Sequence, residues 1–434
     1  MEEKFELQNA KGTRDFAPEE KIVREQVIQV LKETFEEFGF RPLETPVINL
    51  LDVLTAKYAG GSEILKEIFQ LQDQGGRKLA LRYDLTVPMC IFVGMNPQLK
   101  MPFKRYEIGR VYRDGPIKLG RYREFWQCDA DVVGTANPMA DAESIALMST
   151  AFKKLQLNAY IELNSRKVLE GILDFAGIQG EQRTQAMIAL DKIKKIGEKD
   201  VRKELETKGI SDDGINKLLS AALIYGSNKE TLETLKNILK SEIGKEGLEE
   251  IQTILEYLEA ASITNVRFIP SLSRGLAYYT GAVFEAFLEN SQVTSSVAGA
   301  GRYDKIIGGY LGGGREYPAT GLSFGLDTIV EALKLERKLE VKSLVQVYVA
   351  PIGTPKESFK IAQMLREAGI KTDIDLNGRG ISKNLDYANA LGIPYALLVG
   401  ENELKVGKFK LKDMKEGSEE MLTMEEVKQK LKND

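Results

Sequence analysis

The chain has 434 residues, of which 43% are apolar and 29% charged, with a formal net charge of −4. This is globular usage that excludes a disordered, collagen-like or disulfide-stapled chain, and the length allows about three domains. The sequence contains no histidine, which removes serine and cysteine triads with a histidine base, histidine-ligated zinc and imidazole acid–base catalysis.

The opening segment, MEEKFELQNAKGTRDF, is charged and lacks the apolar core of a signal peptide, so a cytoplasmic location is expected. Between Ala17 and Phe38, Val23, Val27, Val30, Phe35 and Phe38 keep near-helical spacing behind Pro18, which predicts an amphipathic helix. In FGFRPLETPVINLLDVL, Pro42 and Pro46 predict a turn and an edge strand. KLALRYDLTVP alternates, with Leu79, Leu81 and Tyr83 on one face and Arg82 with Asp84 on the other, and reads as a strand. The longest uncharged apolar run, Leu85 to Met95, is far short of the roughly 20 residues a membrane span needs, so no membrane partner is expected.

FKRYEIGRVYR and RYREFWQCDADVV, joined by DGPIKLG, predict an antiparallel hairpin with a long loop. In its second strand Arg121, Arg123, Gln127, Asp129 and Asp131 share a face, and Trp126, Cys128, Ala130 and Val132 take the other. A solvated sheet face would give the same pattern. The hairpin carries Arg105, Arg110, Arg113, Arg121 and Arg123. Their planar forks suit phosphate or carboxylate, and pairing with Glu107, Glu124 and Asp129 is the plainer alternative. A net charge of −4 makes the whole chain no basic nucleic-acid binder, although a local basic patch suffices for phosphate contacts. Cys90 and Cys128 are far apart in sequence and read as buried thiols.

Asp141–Leu155 has helical spacing and leads into the strand YIELNS; from about Gly171 to Ala261 the chain is Lys/Glu-rich and helical in pattern, which predicts an inserted helical domain. Strand signals resume in the glycine-punctuated stretch from Val266 to Leu326. Within it RGLAYYTGAVFEAF places Gly275 and Gly281 about two adjacent tyrosines, a pattern that marks close approach of a ligand or backbone. AGAGRYDKIIGGYLGGG lacks the lysine and Ser/Thr of a P-loop and the preceding strand of a dinucleotide fingerprint. After the charged linker LKLERKLEVKSL, the strand VQVYVAPIG, a helix from Pro355, the strand KTDID, a helix from Ser382 and the strand YALLVG predict a small parallel or mixed sheet. Thr423 and Glu426 stand at capping-box spacing before the last helix.

KGTRDF, TPVINLLDVL, LRYDLTVP, RVYRDGPIKLGRYREFWQCDAD, RGLAYYTGAVFEA, GAGRYDKIIGG and PATGLSFGL occur in the order seen in histidyl-tRNA synthetases. The chain resembles that family over almost its whole length. The resemblance implies an α+β fold, with a class II synthetase-type antiparallel sheet flanked by helices, a helical insertion and a C-terminal α/β anticodon-binding domain. The expected boundaries are 1–170 and 263–335 for the catalytic core, 171–262 for the insertion and 344–434 for the last domain. It further implies ATP-dependent activation of L-histidine to histidyl-adenylate and transfer to tRNA(His), with Mg²⁺ accompanying ATP, in a homodimer.

Carried across position by position, Asp84 would contact the substrate side chain, with Leu85 and Thr86 completing that edge of the pocket. Gln127 and Asp131 would hold the amino acid, and Tyr278 and Tyr279 would line the imidazole pocket. Arg113 and Arg274 match the two catalytic arginines, which also border histidine, and Arg113, Arg121 and Arg123 fall where the family contacts ATP. No protein-held metal is implied. The sequence departs from the pattern at Thr328, where motif 3 usually has an arginine, at Ala277, usually acidic, and at Ala300, usually glycine. A regulatory subunit of ATP phosphoribosyltransferase, a synthetase-like histidine binder, is the alternative; such subunits lack the C-terminal domain whose pattern is intact here.

Overall fold

The computed structural model describes residues 7–56, 65–117, 122–273, 278–312, 316–336 and 343–433. The first helix runs Pro18–Glu37, close to its predicted span. The strands that follow are β1 (Arg41–Pro42), β2 (Ile48–Leu50), β3 (Gln70–Gln72), β4 (Lys78–Leu81), β5 (Phe103–Tyr112), β6 (Glu124–Val133) and β7 (Ala159–Ser165). After a long helical stretch come β8 (Val266–Phe268), β9 (Ala282–Leu288), β10 (Ala298–Arg302) and β11 (Ala319–Gly325). The chain divides into two compact units, residues 1–14 with 27–336, and residues 15–26 with 337–434.

In the first unit, eight strands pair in the order β1-β5-β6-β11-β10-β9-β7-β8. The pairs β1/β5 and β7/β8 are parallel, and the others antiparallel, as the α+β reading expects. β1, with its proline, takes the edge, where a missing backbone donor costs no ladder bond. The β5/β6 hairpin forms as its alternation predicts, and Cys128, Ala130 and Val132 are buried on one face. Phe324 of β11 lies opposite Cys128 on that face and meets two helices: Phe35 at 6.0 Å between ring centroids, and Phe152 of helix Met139–Lys154 at 5.5 Å edge-on. With this face sealed by helices, Arg105 and Glu107 of β5, Gln127, Asp129 and Asp131 of β6 and Ser323 of β11 share the other.

One local expectation is corrected. The strand read over KLALRYDLTVP ends at Leu81, and Thr86–Met95 is a helix. Asp84 explains the break: its Oδ1 accepts the Val87 N–H at 3.0 Å, satisfying a first-turn donor that the helix leaves unpaired. β4 pairs instead in a small sheet, β2-β4-β3. Cys90 and Cys128 are buried and form no disulfide.

Between β7 and β8 the backbone is helical, in Arg166–Phe175, Glu181–Leu190, Ile193–Thr207, Asp212–Ala222, Asn228–Ile238 and Glu242–Ala260. Ser227 and Glu230 close a capping box on the fifth of these. Helices 166–175 and 242–260 approach backbone to backbone, and a Cβ on Gly171 would lie 2.5 Å from the Gly244 Cα.

In the second unit the strands are β12 (Val347–Ile352), β13 (Thr372–Ile374), β14 (Tyr395–Gly400), β15 (Lys408–Asp413) and β16 (Glu419–Thr423), ordered β13-β12-β14-β15-β16. The first three are parallel, as the alternating pattern predicts. The antiparallel β15/β16 pair was not foreseen, because its strands are dominated by charge. Thr423 and Glu426 form the expected capping box, with the Thr423 N–H donating to Glu426 Oε2 at 2.8 Å.

Gly171→Ala should push helices 166–175 and 242–260 apart and destabilise the first unit by about 1–3 kcal/mol. A lower urea midpoint checks this, and an unchanged midpoint would show that the close approach is not tightly held.

Candidate active site

The cross-strand register assembles the site. On the polar face Arg105 lies opposite Asp131, Glu107 opposite Asp129, and Gly109 opposite Gln127. From β6 the same rows continue to β11, pairing Asp131 with Gly321, Asp129 with Ser323 and Gln127 with Gly325. They then cross β10 at Gly299 and Gly301, and Gly299 faces Glu285 of β9. Glycine in these rows leaves space where side chains would otherwise meet. A Cβ on Gly301 would lie 2.6 Å from the Tyr279 ring, and one on Gly321 would overlap Asp131 Oδ1. The result is a cavity of about 410 Å³ bordered by Asp84, Thr86, Arg113, Gln127, Asp129, Asp131, Tyr278, Tyr279, Glu285, Tyr303 and Ser323, among others. That size suits a small-molecule site.

Beneath the cavity lies a buried ion network. Arg105, with no exposure to solvent, places Nη2 2.7 Å from Asp131 Oδ2 and donates from it to the Leu85 carbonyl at 3.1 Å. Glu107 accepts from Arg82 Nη1 at 2.7 Å and from the Thr45 N–H at 3.0 Å. Arg82 also donates to the Thr45 carbonyl at 2.7 Å and the Arg110 carbonyl at 2.9 Å. Tyr303 donates its hydroxyl to Asp131 Oδ1. On the rim, Arg113 donates from Nε to the Tyr83 carbonyl at 3.1 Å, and its guanidinium lies 5.1 Å from the Phe125 ring centroid. The Tyr278 and Tyr279 ring centroids are 4.8 Å apart.

Burial raises the carboxyls of Asp84, Asp129 and Asp131 above the ordinary range. Asp84 is pushed up to about 6, against the Val87 N–H and the charges of Arg113 and Arg105. Asp129 is pushed up to about 8 by burial, with Asp131 and Asp84 adding repulsion and Arg105 and the Ser323 hydroxyl opposing it. Asp131 is raised by burial against Arg105 and Tyr303. The ligand-free site therefore keeps part of its acid neutral at neutral pH.

Seven of the residues that the resemblance assigns to histidine, Asp84, Thr86, Arg113, Gln127, Asp131, Tyr278 and Tyr279, border this one cavity. Leu85 is fully buried and contributes its carbonyl to Arg105 rather than a wall. Arg123 stands apart from the cavity lining, with Nη2 3.0 Å from Asp114 Oδ1 and Nε on the Gly115 carbonyl at 3.4 Å. Arg274, Arg121 and Ala277 lie outside the described residues. Thr328 sits in the first turn of helix Leu326–Leu335, beside Asp327, whose Oδ1 is 3.6 Å from Arg14 Nη2. Ala300 is buried opposite Leu322 and Phe284. Trp126, expected on the far face, also borders the cavity, its ring 5.6 Å from the Arg110 guanidinium. Glu285, Ser323 and Tyr303 were not foreseen, since only strand register brings them here. Asp129, read from the alternation only as a partner for the hairpin arginines, also borders the cavity.

Because Asp84 and Asp129 hold their protons to higher pH when folded than an ordinary aspartate does, the folded chain binds more protons across the interval. Stability of the ligand-free protein should therefore fall as pH rises from about 4 to about 8. Asp129→Asn should flatten the upper part of that fall in urea midpoints taken across pH, and an unaltered slope would show that Asp129 titrates normally.

The histidyl-tRNA synthetase family model matches residues 12–329, and an anticodon binding domain model matches residues 346–434. A histidine–tRNA ligase 1 of Bacillus cereus is 45% identical over 96% of this chain and 97% of its own. A histidyl-tRNA synthetase crystal structure from Nostoc sp. PCC 7120 superposes with a TM-score of 0.89 at 28% identity, covering 99% of this chain and all of that one. A structure described as an ATP phosphoribosyltransferase regulatory subunit/histidyl-tRNA synthetase, from Bacillus halodurans, shares the fold at a TM-score of 0.76 and 23% identity. With matches across both units and nearly full length, the chain belongs to the histidyl-tRNA synthetase family.

Proposed function

We propose that the cavity on β6 and β11 is where the chain joins L-histidine to ATP before transfer to tRNA(His), the histidine–tRNA ligase reaction. The observation that carries this is the convergence of Asp84, Arg113, Gln127, Asp131, Tyr278 and Tyr279, from three separate stretches of sequence, on one buried acidic pocket. Histidine brings an ammonium group and ring N–H donors, and buried carboxyls reject ligands that leave them unpaired.

The chemistry suits a chain without histidine. The substrate carboxylate is already ionised and attacks the α-phosphorus of ATP; the new C–O–P link forms as the bond to diphosphate breaks, and no strong general base is needed. Arg113, fixed by the Tyr83 carbonyl and Phe125, would neutralise charge developing on the phosphate oxygens. Arg274 would share that task, with Arg121 and Arg123 on the ATP. Tyr278 and Tyr279 would hold the imidazole, and orientation supplies the remainder of the rate. Mg²⁺ would arrive on the phosphates of ATP, the usual mode for that ion; among the described residues no cluster of acidic or thiol side chains would hold one alone.

The reading includes a cytoplasmic homodimer. Ile48 and Leu50 share one face of β2 and are 53% and 52% exposed, a pair of apolar side chains that a partner surface would cover. Among the described residues no helix is long and apolar enough to cross a membrane. The regulatory-subunit alternative has no use for the anticodon binding domain matched over residues 346–434.

Charging of a tRNA(His) transcript with labelled histidine tests the function, with Arg113→Gln expected to lower kcat by about 100- to 1,000-fold. Histidine binding without charging would move the chain to the regulatory class. Ile48→Glu with Leu50→Glu should halve the mass seen in sedimentation equilibrium, and a double variant with the parent mass would place any interface elsewhere.

A further inference from the structure

Asp129 has no role in the assignments above, yet it stands at the centre of the substrate face of β6, between Gln127 and Asp131. Alternate residues on one strand face are about 7 Å apart, so a ligand engaging both Gln127 and Asp131 crosses Asp129. The residue is 2% exposed and borders the cavity, and its Oδ1 has no hydrogen-bond partner among the described residues. A buried acceptor left open is costly unless a ligand completes it.

The groups facing Asp129 leave it available. From β5, Arg105 is directed to Asp131 at 2.7 Å, and Glu107 is held by Arg82 and Thr45. From β11, the Ser323 hydroxyl also accepts from Gln127 Nε2 at 3.2 Å. Asp131 on the same strand and Asp84 ahead of helix 86–95 add negative charge. Among the described residues no cation forms an ion pair with Asp129, and the local balance calls for a donor from the ligand.

We propose that Asp129 is a further substrate-binding residue that accepts a hydrogen bond from an N–H of bound histidine, at the ammonium group or the imidazole ring. The inference rests on the reading of the cavity as the histidine site. Its second consequence follows from burial, which holds the empty carboxyl neutral to about 8. An N–H donor, above all a cationic one, favours the carboxylate, so the Asp129 proton passes to solvent when histidine binds.

Calorimetric titration of histidine into the full chain, in two buffers of different ionisation enthalpy near pH 7.5, tests this. At that pH free imidazole is largely neutral. The wild-type protein should release a substantial fraction of a proton on binding. Asp129→Asn, which mimics the neutral carboxyl and so preserves packing, should weaken histidine about 10- to 100-fold and reduce the release. Asp129→Glu, which keeps the carboxylate, should recover part of both. Imidazolepropionate, histidine without its amino group, separates the two sources. A similar weakening of this analogue by Asp129→Asn assigns the bond to the ring, and no weakening assigns it to the ammonium. Unchanged histidine affinity and proton release in Asp129→Asn would overturn the proposal while leaving the site reading intact. Should that variant fail to fold, absence of proton release by the wild-type protein would overturn it as well. No histidine binding by the wild-type protein would instead remove the site reading itself.

Discussion

The pocket depends on Arg105. Asp84, Asp129, Asp131 and Glu107 are all buried in one small volume, and an unpaired buried carboxylate costs several kcal/mol even after relaxation, of order 3–5 if its partner is deleted. Arg105 sits fully buried between them, pairs with Asp131 at 2.7 Å, and lies 3.8 Å from Glu107. Arg82 and Thr45 satisfy Glu107 separately. What one guanidinium cannot neutralise is left to protons, which is why burial raises Asp84 and Asp129. An acidic pocket kept partly protonated until a nitrogen donor arrives is matched to a ligand that brings cationic and ring N–H groups.

That arrangement exists only because the strand register is fixed. A one-residue slip between β5 and β6 would turn Arg105 to the helix-covered face and strand Asp129 and Asp131 without a cation. The aromatic contacts of Phe324 with Phe35 and Phe152 oppose such a slip from the other side of the sheet. Glycines at 299, 301 and 321 then keep the neighbouring strands from filling the volume that the carboxyls surround. Packing on one face and vacancy on the other are two results of the same alternation.

Much of this was legible locally. The hairpin, its polar face with Gln127, Asp129 and Asp131, the helical stretch after β7 and the parallel part of the second unit all follow from patterns spanning a few residues. The Thr423–Glu426 cap could be read from two residues alone. The extent of β4 could not, because Asp84 spends its carboxylate on the Val87 N–H and starts a helix where alternation suggested more strand. Glu285, Ser323 and Tyr303 carry no local signal, since pairings such as Asp129 with Ser323 join residues almost two hundred positions apart. Those positions are chosen by sheet order, which a single sequence does not display. The β15/β16 hairpin escaped notice because its lysines and glutamates mask the inward alternation of Phe409 and Leu411.

The central claim is that this pocket activates histidine and no other amino acid. Exchange of labelled diphosphate into ATP, measured with each of the twenty amino acids in turn, tests it most directly, because it reports adenylate formation without tRNA. The structure predicts exchange with histidine alone, with Thr328 in place of the usual motif 3 arginine. Absence of histidine-dependent exchange, or comparable exchange with an amino acid whose side chain has no N–H donor, would contradict the account.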